Sequence, residues 1–353
     1  MHTLTLDSEA IRLIIQNVGL NPLMDELINR LRTELTDFDA EQFSIPTRDG
    51  FDYEQPYSGL LEWMPLQTEQ QITIKTVGYH PSNPSVHGCS TILSNVCCYD
   101  TYSGHLKAIM DGTFLTALRT GAASAVASSA LAKPSSATLG IVGCGAQAVS
   151  QIHAISRIFS LERVLAYDVN EDAQSSLRDR CAGFLDDPGI VQGAALDEVT
   201  SAADILCTCT SVEIGNGPVL STTSSIQRHL HINAVGSDFP GKTELPRELL
   251  KRAVVCPDFR DQAIREGECQ QLEVDDIGPN LSDVVSKSAT DCDYANRLTV
   301  FDSTGWAIED HITANMLIEY ARKLNVGAEI QLETNSSDPR DPYAFAQMAL
   351  RTV

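Results

Sequence analysis

A glycine-rich turn within "ATLGIVGCGAQAVSQ", residues 137–151, constrains the fold of this chain more than any other feature. An apolar run that predicts a β-strand leads into Gly143 and Gly145, and a helix-like run follows. Gly143 permits a tight turn, and Gly145 lets the backbone approach a pyrophosphate. Ala146 and Gln147 open the helix, whose free amides and dipole attract phosphate. The pattern predicts a dinucleotide site, the alternative being a plain strand–helix turn.

The pattern of strands and helices changes at this turn. From residue 137 onward strands alternate with helices, which is typical of a parallel, doubly wound sheet. Before it, residues 59–64, 71–77 and 90–100 predict short strands of an antiparallel or mixed sheet, and residues 111–132 predict a long helix of small residues. At roughly 100–200 residues per domain, 353 residues predict two domains. We therefore expect an α/β protein, a Rossmann-type doubly wound sheet with a second, α+β domain.

Capping residues predict where several helices begin and end. Asp7 is a typical N-cap, as is Asn21 before Pro22. Gly327 is predicted to end the last long helix. One apolar stripe repeats every four residues along the second helix, at Leu23, Leu27, Leu31 and Leu35.

Asp168 ends the second strand of the nucleotide domain, where an adenosine ribose would lie. Its carboxylate can accept hydrogen bonds from both ribose hydroxyls. It would repel a 2′-phosphate by about 4 kcal/mol per charge pair at 4 Å and an effective dielectric of 20. No basic residue directly follows it, so the sequence predicts NAD in preference to NADP. The alternative is an acid at a helix N-terminus.

Asp238 follows a strand in "HLHINAVGSDFPGKTEL". Chemistry in doubly wound folds occurs beyond the carboxyl ends of the strands. Asp238 is therefore a candidate general acid/base beside the nicotinamide, the alternative being a loop aspartate in a turn.

The first domain supplies isolated cations, Arg48, Lys75 and Arg119, and a strand acid, Glu62. Lys75 is flanked by β-branched residues, a costly place for an unpaired charge. Structural ion pairs are one explanation of the cations. Another is that they bind a substrate carboxylate while Glu62 receives an ammonium, as in an NAD enzyme acting on a small amino acid.

Composition excludes several classes of function. The net charge of −22 and the pI near 4.6 disfavour binding to nucleic acid or anionic membranes. No apolar run could span a bilayer, and the N-terminus does not resemble a signal peptide. The ten cysteines lack disulfide or CxxC spacing and the histidines are scattered, so reduced thiols, no metal site and a cytoplasmic location are expected.

Seven motifs, spread over nearly the whole chain, resemble the ornithine cyclodeaminase/μ-crystallin family. They are "LLEWMP", "IKTVGYHPSN", "LTALRTGAAS", "GIVGCGAQA", "INAVGSDFPGKTEL", "REGECQQL" and "VFDSTGWAIED". Three stretches are most similar to the ornithine cyclodeaminase branch: "INAVGSDFPGKTEL", "REGECQQL" and the later "SDPRDPYAF". The family fold implies that residues 1–132 with 306–353 form a substrate-binding and dimerisation domain, and residues 133–305 the NAD-binding domain. A homodimer is expected.

The resemblance also implies roles for individual residues. Three cations, Arg48, Lys75 and Arg119, would bind the substrate carboxylate, and Thr91 matches a polar position of the substrate pocket. Glu62 matches an acid near the amino groups. Asp238 matches the acid/base that handles the side-chain amine.

The activity implied is an NAD-dependent L-ornithine cyclodeaminase that forms proline and ammonia through transfer and return of a hydride. Lysine could replace ornithine, because one methylene is worth only about 1–3 kcal/mol in a pocket. The segment between Arg48 and Glu62, which contains residues 49–59, is longer than in the cyclodeaminase branch. The stretch "IMDGTFLTALRT" is more similar to the wider family. A ketimine reductase or amino-acid dehydrogenase therefore stays an alternative. A non-catalytic nucleotide-binding protein is a third, against which Asp238 and the cations argue.

Overall fold

The computed structural model describes residues 1–221, 225–286 and 293–346, and it contains two seven-stranded sheets. The strands of the first sheet are β1 (Thr3–Leu6), β2 (Asp49–Tyr53), β3 (Gly59–Gln67), β4 (Gln71–Tyr79), β5 (Ile92–Asp100), β6 (Leu106–Asp111) and β14 (Ala328–Ile330). Their spatial order is β14-β1-β6-β5-β4-β3-β2. Among the described strand pairs of this sheet, only β1 and β6 are parallel, so the sheet is mixed.

The second sheet is parallel throughout its described pairs. Its strands are β7 (Thr138–Val142), β8 (Arg163–Tyr167), β9 (Val191–Gly193), β10 (Ile205–Thr208), β11 (His231–Ala234), β12 (Val254–Pro257) and β13 (Thr299–Asp302), in the spatial order β12-β13-β11-β10-β7-β8-β9. The order reverses direction at β7, the strand that carries the glycine turn. The predicted fold class is confirmed.

Helices cover the second sheet and one face of the first. They are α1 (Ser8–Val18), α2 (Leu20–Thr36), α3 (Asn83–Val86), α4 (Thr113–Leu131), α5 (Ala146–Ile158), α6 (Glu171–Cys181), α7 (Leu196–Ala202), α8 (Arg247–Leu250), α9 (Arg260–Ala263), α10 (Leu281–Ser286) and α11 (Ala307–Leu324). The strands of the second sheet lie within residues 133–305, and those of the first sheet lie outside this range. Residues 132 and 305 are the domain boundaries that the family resemblance implies. Among the described residues, no helix is long and apolar enough to cross a membrane.

The small residues of α4 allow it to pack closely against α5. A Cβ at Gly121 would overlap the carbonyl oxygen of Ser150. The predicted apolar stripe of α2 is buried in the same core, with each of its four leucines at most 2% exposed. This core joins the two sheets, so the chain positions first-domain side chains against the nucleotide domain.

Two of the predicted helix ends are wrong. Asp7 does cap α1 by accepting a hydrogen bond from Ala10 N at 2.9 Å. Asn21, however, lies inside α2, which begins after Gly19, because its side chain is bound elsewhere, donating to Phe184 O at 3.2 Å. The end of α11 is formed by Asn325 in the left-handed region (φ 54°), two residues before Gly327.

Candidate functional site

The glycine turn after β7 has the shape that a dinucleotide requires. Gly143 has a φ of 93°, and a Cβ there would lie 2.7 Å from the carbonyl oxygen of Cys209. A Cβ at Gly145 would meet nothing within 4 Å, so open space faces this residue just before α5 begins at Ala146. The backbone thus leaves room for a pyrophosphate at a helix N-terminus, next to Ala146 and Gln147.

Asp168 connects the glycine turn to the end of β8. Its Oδ2 accepts from Cys144 N at 2.6 Å and its Oδ1 from Asn170 N at 2.8 Å. The next side chain, Val169, is 89% exposed and apolar. The site therefore places a carboxylate where the ribose is expected.

A cation that sequence reasoning missed lies against the same turn. Arg180, on α6, donates to Cys144 O at 2.7 Å and to Gly145 O at 3.2 Å. It gave no sequence signal, because it comes late in a polar helix far from the motif. Its guanidinium stabilises the turn through carbonyl oxygens.

Lys75, on β4, and Arg119, on α4, form buried ion pairs with acids of α11. Lys75 Nζ lies 2.8 Å from Asp310 Oδ2, and each side chain is 1% exposed. Arg119 donates from Nε to Asp310 at 3.2 Å and from Nη1 to Glu309 at 3.0 Å. Within the described part of the chain, Nη2 of Arg119 donates no hydrogen bond. Structural ion pairs therefore account for the burial of both cations, while Nη2 of Arg119 stays available to an anion.

Gly305 keeps Arg119 in this orientation. Its φ is 90°, and a Cβ there would lie 2.8 Å from Arg119 Nη2. The amide of Gly305 and the hydroxyl of Thr304 donate to the buried Asp258, at 2.7 and 2.9 Å. Asp258 therefore fixes the turn that packs against the guanidinium.

Arg48 and Glu62 line a cleft of about 250 Å³ between β2, β3 and the nucleotide domain. Arg48 Nη1 lies 3.4 Å from Glu62 Oε2, its Nε lies 2.8 Å from Glu266 Oε1, and its Nη2 donates to Thr304 O. Burial raises the pKa of Glu62 above its usual value, against the opposing charge of Arg48, and the nearby Asp238 raises it further.

Glu266 is the acid of this cleft that sequence reasoning missed. It belongs to the quoted "REGECQQL" motif and directly follows Arg265, but no predicted strand ends beside it, so its sequence position did not point to the cleft. Burial raises its pKa to about 8, the charge of Arg48 opposes the shift, and the carboxylates of Glu62 and Asp238 add to it. These mutual effects place Arg48, Glu62, Glu266 and Asp238 in one electrostatic cluster.

Asp238 lies beyond the carboxyl end of β11, as predicted for a residue beside the nicotinamide. Its Oδ1 accepts from Lys242 Nζ at 2.6 Å. Its side chain is 37% exposed, compared with 9% for Lys242. Asp238 is thus the more accessible member of a carboxylate–ammonium pair at the mouth of the site.

Glu244 joins the strand ends around Asp238. It is fully buried and accepts from Thr208 Oγ1 at 2.6 Å, Thr210 N at 2.7 Å and Gly236 N at 2.8 Å. These donors lie at the ends of β10 and β11. The carboxylate therefore fixes the backbone on which a nicotinamide would rest.

Four of the predicted catalytic and substrate-binding residues are not among those that line the cleft: Lys75, Arg119, Asp238 and Thr91. The first three still interact electrostatically with Arg48, which the uncharged Thr91 does not. Thr91 precedes β5, it is partly buried, and its carbonyl accepts from His80 N at 2.8 Å. Its role in substrate binding stays a prediction.

The chain is similar to known proteins over nearly its full length. The model of the ornithine cyclodeaminase/mu-crystallin family matches residues 9–325. An L-lysine cyclodeaminase from Streptomyces rapamycinicus is 40% identical over 98% of this chain and 100% of its own. An ornithine cyclodeaminase from Agrobacterium tumefaciens is 29% identical, over 94% of this chain and 90% of its own. These matches confirm the resemblance seen in the motifs.

Solved structures agree with this similarity. A structure described as the basis for recognition of L-lysine, L-ornithine and L-2,4-diaminobutyric acid by lysine cyclodeaminase has a TM-score of 0.93 at 44% identity, covering 98% of this chain and 100% of that chain. An archaeal alanine dehydrogenase dimer with bound NAD has a TM-score of 0.82 at 32% identity, covering 94% and 100%.

Proposed function

Because this chain belongs to the ornithine cyclodeaminase/mu-crystallin family, we propose that it is an NAD-dependent cyclodeaminase acting on an L-α,ω-diamino acid. The products would be a cyclic imino acid and ammonia. L-Lysine and L-ornithine are the first candidate substrates, since the similar proteins include cyclodeaminases named for each. The sequence alone favoured ornithine and allowed lysine; the 40% identity to a lysine cyclodeaminase supports the longer substrate.

One observation supports this proposal most strongly. The site combines a cluster of cations, Arg48, Lys75 and Arg119, with a cluster of acids, Glu62, Asp238 and Glu266, whose charges influence one another. A molecule with a carboxylate at one end and an ammonium at the other matches both clusters. An amino acid without a second amine would carry no distal ammonium to match the acid cluster.

The cofactor is NAD, and it fits the residues present. The open space at Gly145 leaves room for its pyrophosphate, and Asp168 would bind its ribose. When bound, NAD would supply a hydride acceptor for the substrate Cα and a hydride donor for the cyclic imine. No basic residue directly follows the exposed Val169 in the sequence, which disfavours NADP.

The chain's own residues would bind the substrate and move its protons. Arg119 Nη2 and Arg48 would hold the carboxylate and so fix the orientation of Cα. Asp238 would accept a proton from the distal ammonium, which leaves a free amine as nucleophile. Burial of the cleft strengthens each of these interactions by excluding water.

The decisive experiment uses diamino acid carrying deuterium at C2, with NAD in catalytic amount. A cyclodeaminase forms cyclic imino acid over many turnovers, keeps deuterium at C2 and releases equimolar ammonia. If absorbance at 340 nm rises in step with ammonia, or if turnover stops when NAD is used up, the enzyme is a dehydrogenase. If only a cyclic imine reacts and consumes NADH, it is an imine reductase.

We also propose that the protein is a homodimer built on the uncovered face of the first sheet. This face of β3, β4 and β5 points away from the helices and carries Leu61, Trp63, Ile74 and Leu93. Leu61 and Leu93 are 41% and 49% exposed. An apolar sheet face of this kind is typical of an interface. Light scattering should give the mass of a dimer, and Leu61→Asp with Leu93→Asp should shift it toward a monomer.

A further inference from the structure

The Asp238–Lys242 pair lies at the mouth of the site with its two members in different environments. Lys242 Nζ lies 2.6 Å from Asp238 Oδ1 and 5.1 Å from the centre of the Tyr79 ring. Lys242 is buried, although lysine is among the residues least often buried. Within the described residues, Asp238 Oδ2 accepts no hydrogen bond. The ammonium thus holds one carboxylate oxygen of this partly exposed side chain and leaves the other without a donor among the described residues.

The backbone around Lys242 is held by several hydrogen bonds. Its carbonyl accepts from Ser237 Oγ at 2.6 Å and from Gln270 Nε2 at 2.9 Å. Gln270 Oε1 in turn accepts from Gly241 N at 2.7 Å. Gly241 has a φ of 83°, which glycine adopts without strain. The turn between Asp238 and Lys242 therefore presents the ammonium in a fixed position.

The charges that face Asp238 come from several elements. Arg48 and Lys242 are cations, whereas three of its neighbours are acids or can become so: Glu62, Glu266 and Tyr79. Glu244 adds a negative charge on the far side of Lys242. Neighbouring carboxylates disfavour one another's charged forms unless a cation opposes them. Lys242 is the cation in direct contact with it.

We propose that Lys242 is a positioning residue for Asp238. Its ammonium binds Oδ1, keeps the carboxylate charged among the surrounding acids, and directs Oδ2 at the distal ammonium of a substrate. The proposal rests on the proposed function for the identity of that substrate, but the pairing itself does not. Lys242 thereby sets the lower end of the pH range in which Asp238 can accept a proton.

The pairing can be tested without turnover. In protein labelled with ¹³C at aspartate Cγ, the Asp238 resonance is assigned by its loss in Asp238→Asn, and its titration is followed in wild type, Lys242→Met and the exposed control Lys251→Met. The Asp238 pKa should rise by at least about one unit in Lys242→Met, because an adjacent opposite charge typically shifts a pKa by 1–3 units. It should not move in Lys251→Met. An unchanged Asp238 pKa in Lys242→Met overturns the proposal.

Kinetics supply the second readout. The acid limb of the kcat/KM profile for L-lysine or L-ornithine should move to higher pH in Lys242→Met by the same amount as the Asp238 pKa, and Lys242→Arg should restore it. A fall in rate at all pH values with no shift would show a purely structural ion pair and contradict the proposal. Should Lys242→Met fail to fold, Lys242→Gln, which keeps a donor without the charge, must give the same shift. If wild type converts no diamino acid, the proposed function fails, while the resonance experiment still decides this one.

Discussion

Glu266 and Arg48 form an ion pair across the two domains, with Oε1 of the acid 2.8 Å from Nε of the guanidinium. The two side chains are 5% and 9% exposed. Both line the cleft that contains Glu62. Because burial raises the pKa of Glu266 to about 8, despite the opposing charge of Arg48, its charge changes close to neutral pH. The cleft therefore becomes more negative as the pH rises through this range.

This pair predicts a pH-dependent affinity for diamino acids. As the pH rises toward 8, Glu266 loses its proton and attracts the distal ammonium, so the wild-type KM should fall. In Glu266→Gln the KM should be higher at pH 8, by about tenfold, and should lose most of this fall, because a charged hydrogen bond contributes roughly 1.5–3 kcal/mol. Steady-state kinetics from pH 6.5 to 8.5 test this, with the exposed Glu248→Gln as control. Parallel profiles in wild type and Glu266→Gln would remove Glu266 from substrate binding.

Asp238 predicts a separation of binding from turnover. Asp238→Asn should leave NAD affinity nearly intact and lower turnover at least about 10²-fold, the low end for a general acid/base. Calorimetry with NAD and single-turnover assays measure the two effects. The exposed Asp275→Asn is the matched control. Near-normal turnover in a folded Asp238→Asn protein would exclude Asp238 from the chemistry.

The parallel sheet and its glycine turn could be predicted because they depend on local rules. A strand, two glycines and a helix follow one another within residues 137–151, and each has its own sequence signal. Asp7 was predicted correctly as a cap for the same reason. Asn21 was not, because its side chain bonds to Phe184, far away in sequence. Local propensity cannot include a partner that only the tertiary fold supplies.

The candidate site shows the same limit. Arg48, Glu62, Lys75, Arg119 and Asp238 were selected from the sequence, either as unusual charges or from their place in motifs. The acids that pair with Arg48, Lys75 and Arg119 from distant segments were not selected: Glu266, Glu309 and Asp310. Among these, Glu266 and Asp310 become recognisable only when the first sheet packs against α11 and the nucleotide domain. Sequence reasoning thus found the charged groups and missed the network that orients them.

Asp168 predicts a preference for NAD that can be changed. Asp168→Ser with Val169→Arg should move affinity toward NADP, since it removes a negative charge and adds a positive one beside the ribose. Asp168→Ser alone should weaken binding of both cofactors, because the carboxylate also accepts from Cys144 N at 2.6 Å and so holds the glycine turn. Calorimetric titration of each variant distinguishes the two effects. A wild type that binds NADP more tightly than NAD would contradict this assignment.

His153 predicts how acid destabilises the fold. It is 4% exposed, stacks on Phe184 and bonds to Asn21 Oδ1 through Nε2 at 2.9 Å. Burial, with a smaller effect of Arg157, lowers its pKa to about 4. Between about pH 6.5 and 4 the unfolded chain binds this proton and the folded protein does not. Stability should therefore fall on acidification by about 1.4 kcal/mol per pH unit from this group. Denaturant unfolding at pH 7 and 5 should show a smaller loss in His153→Gln than in wild type or in the exposed control His2→Gln; an equal loss in all three would show that His153 is not the group responsible.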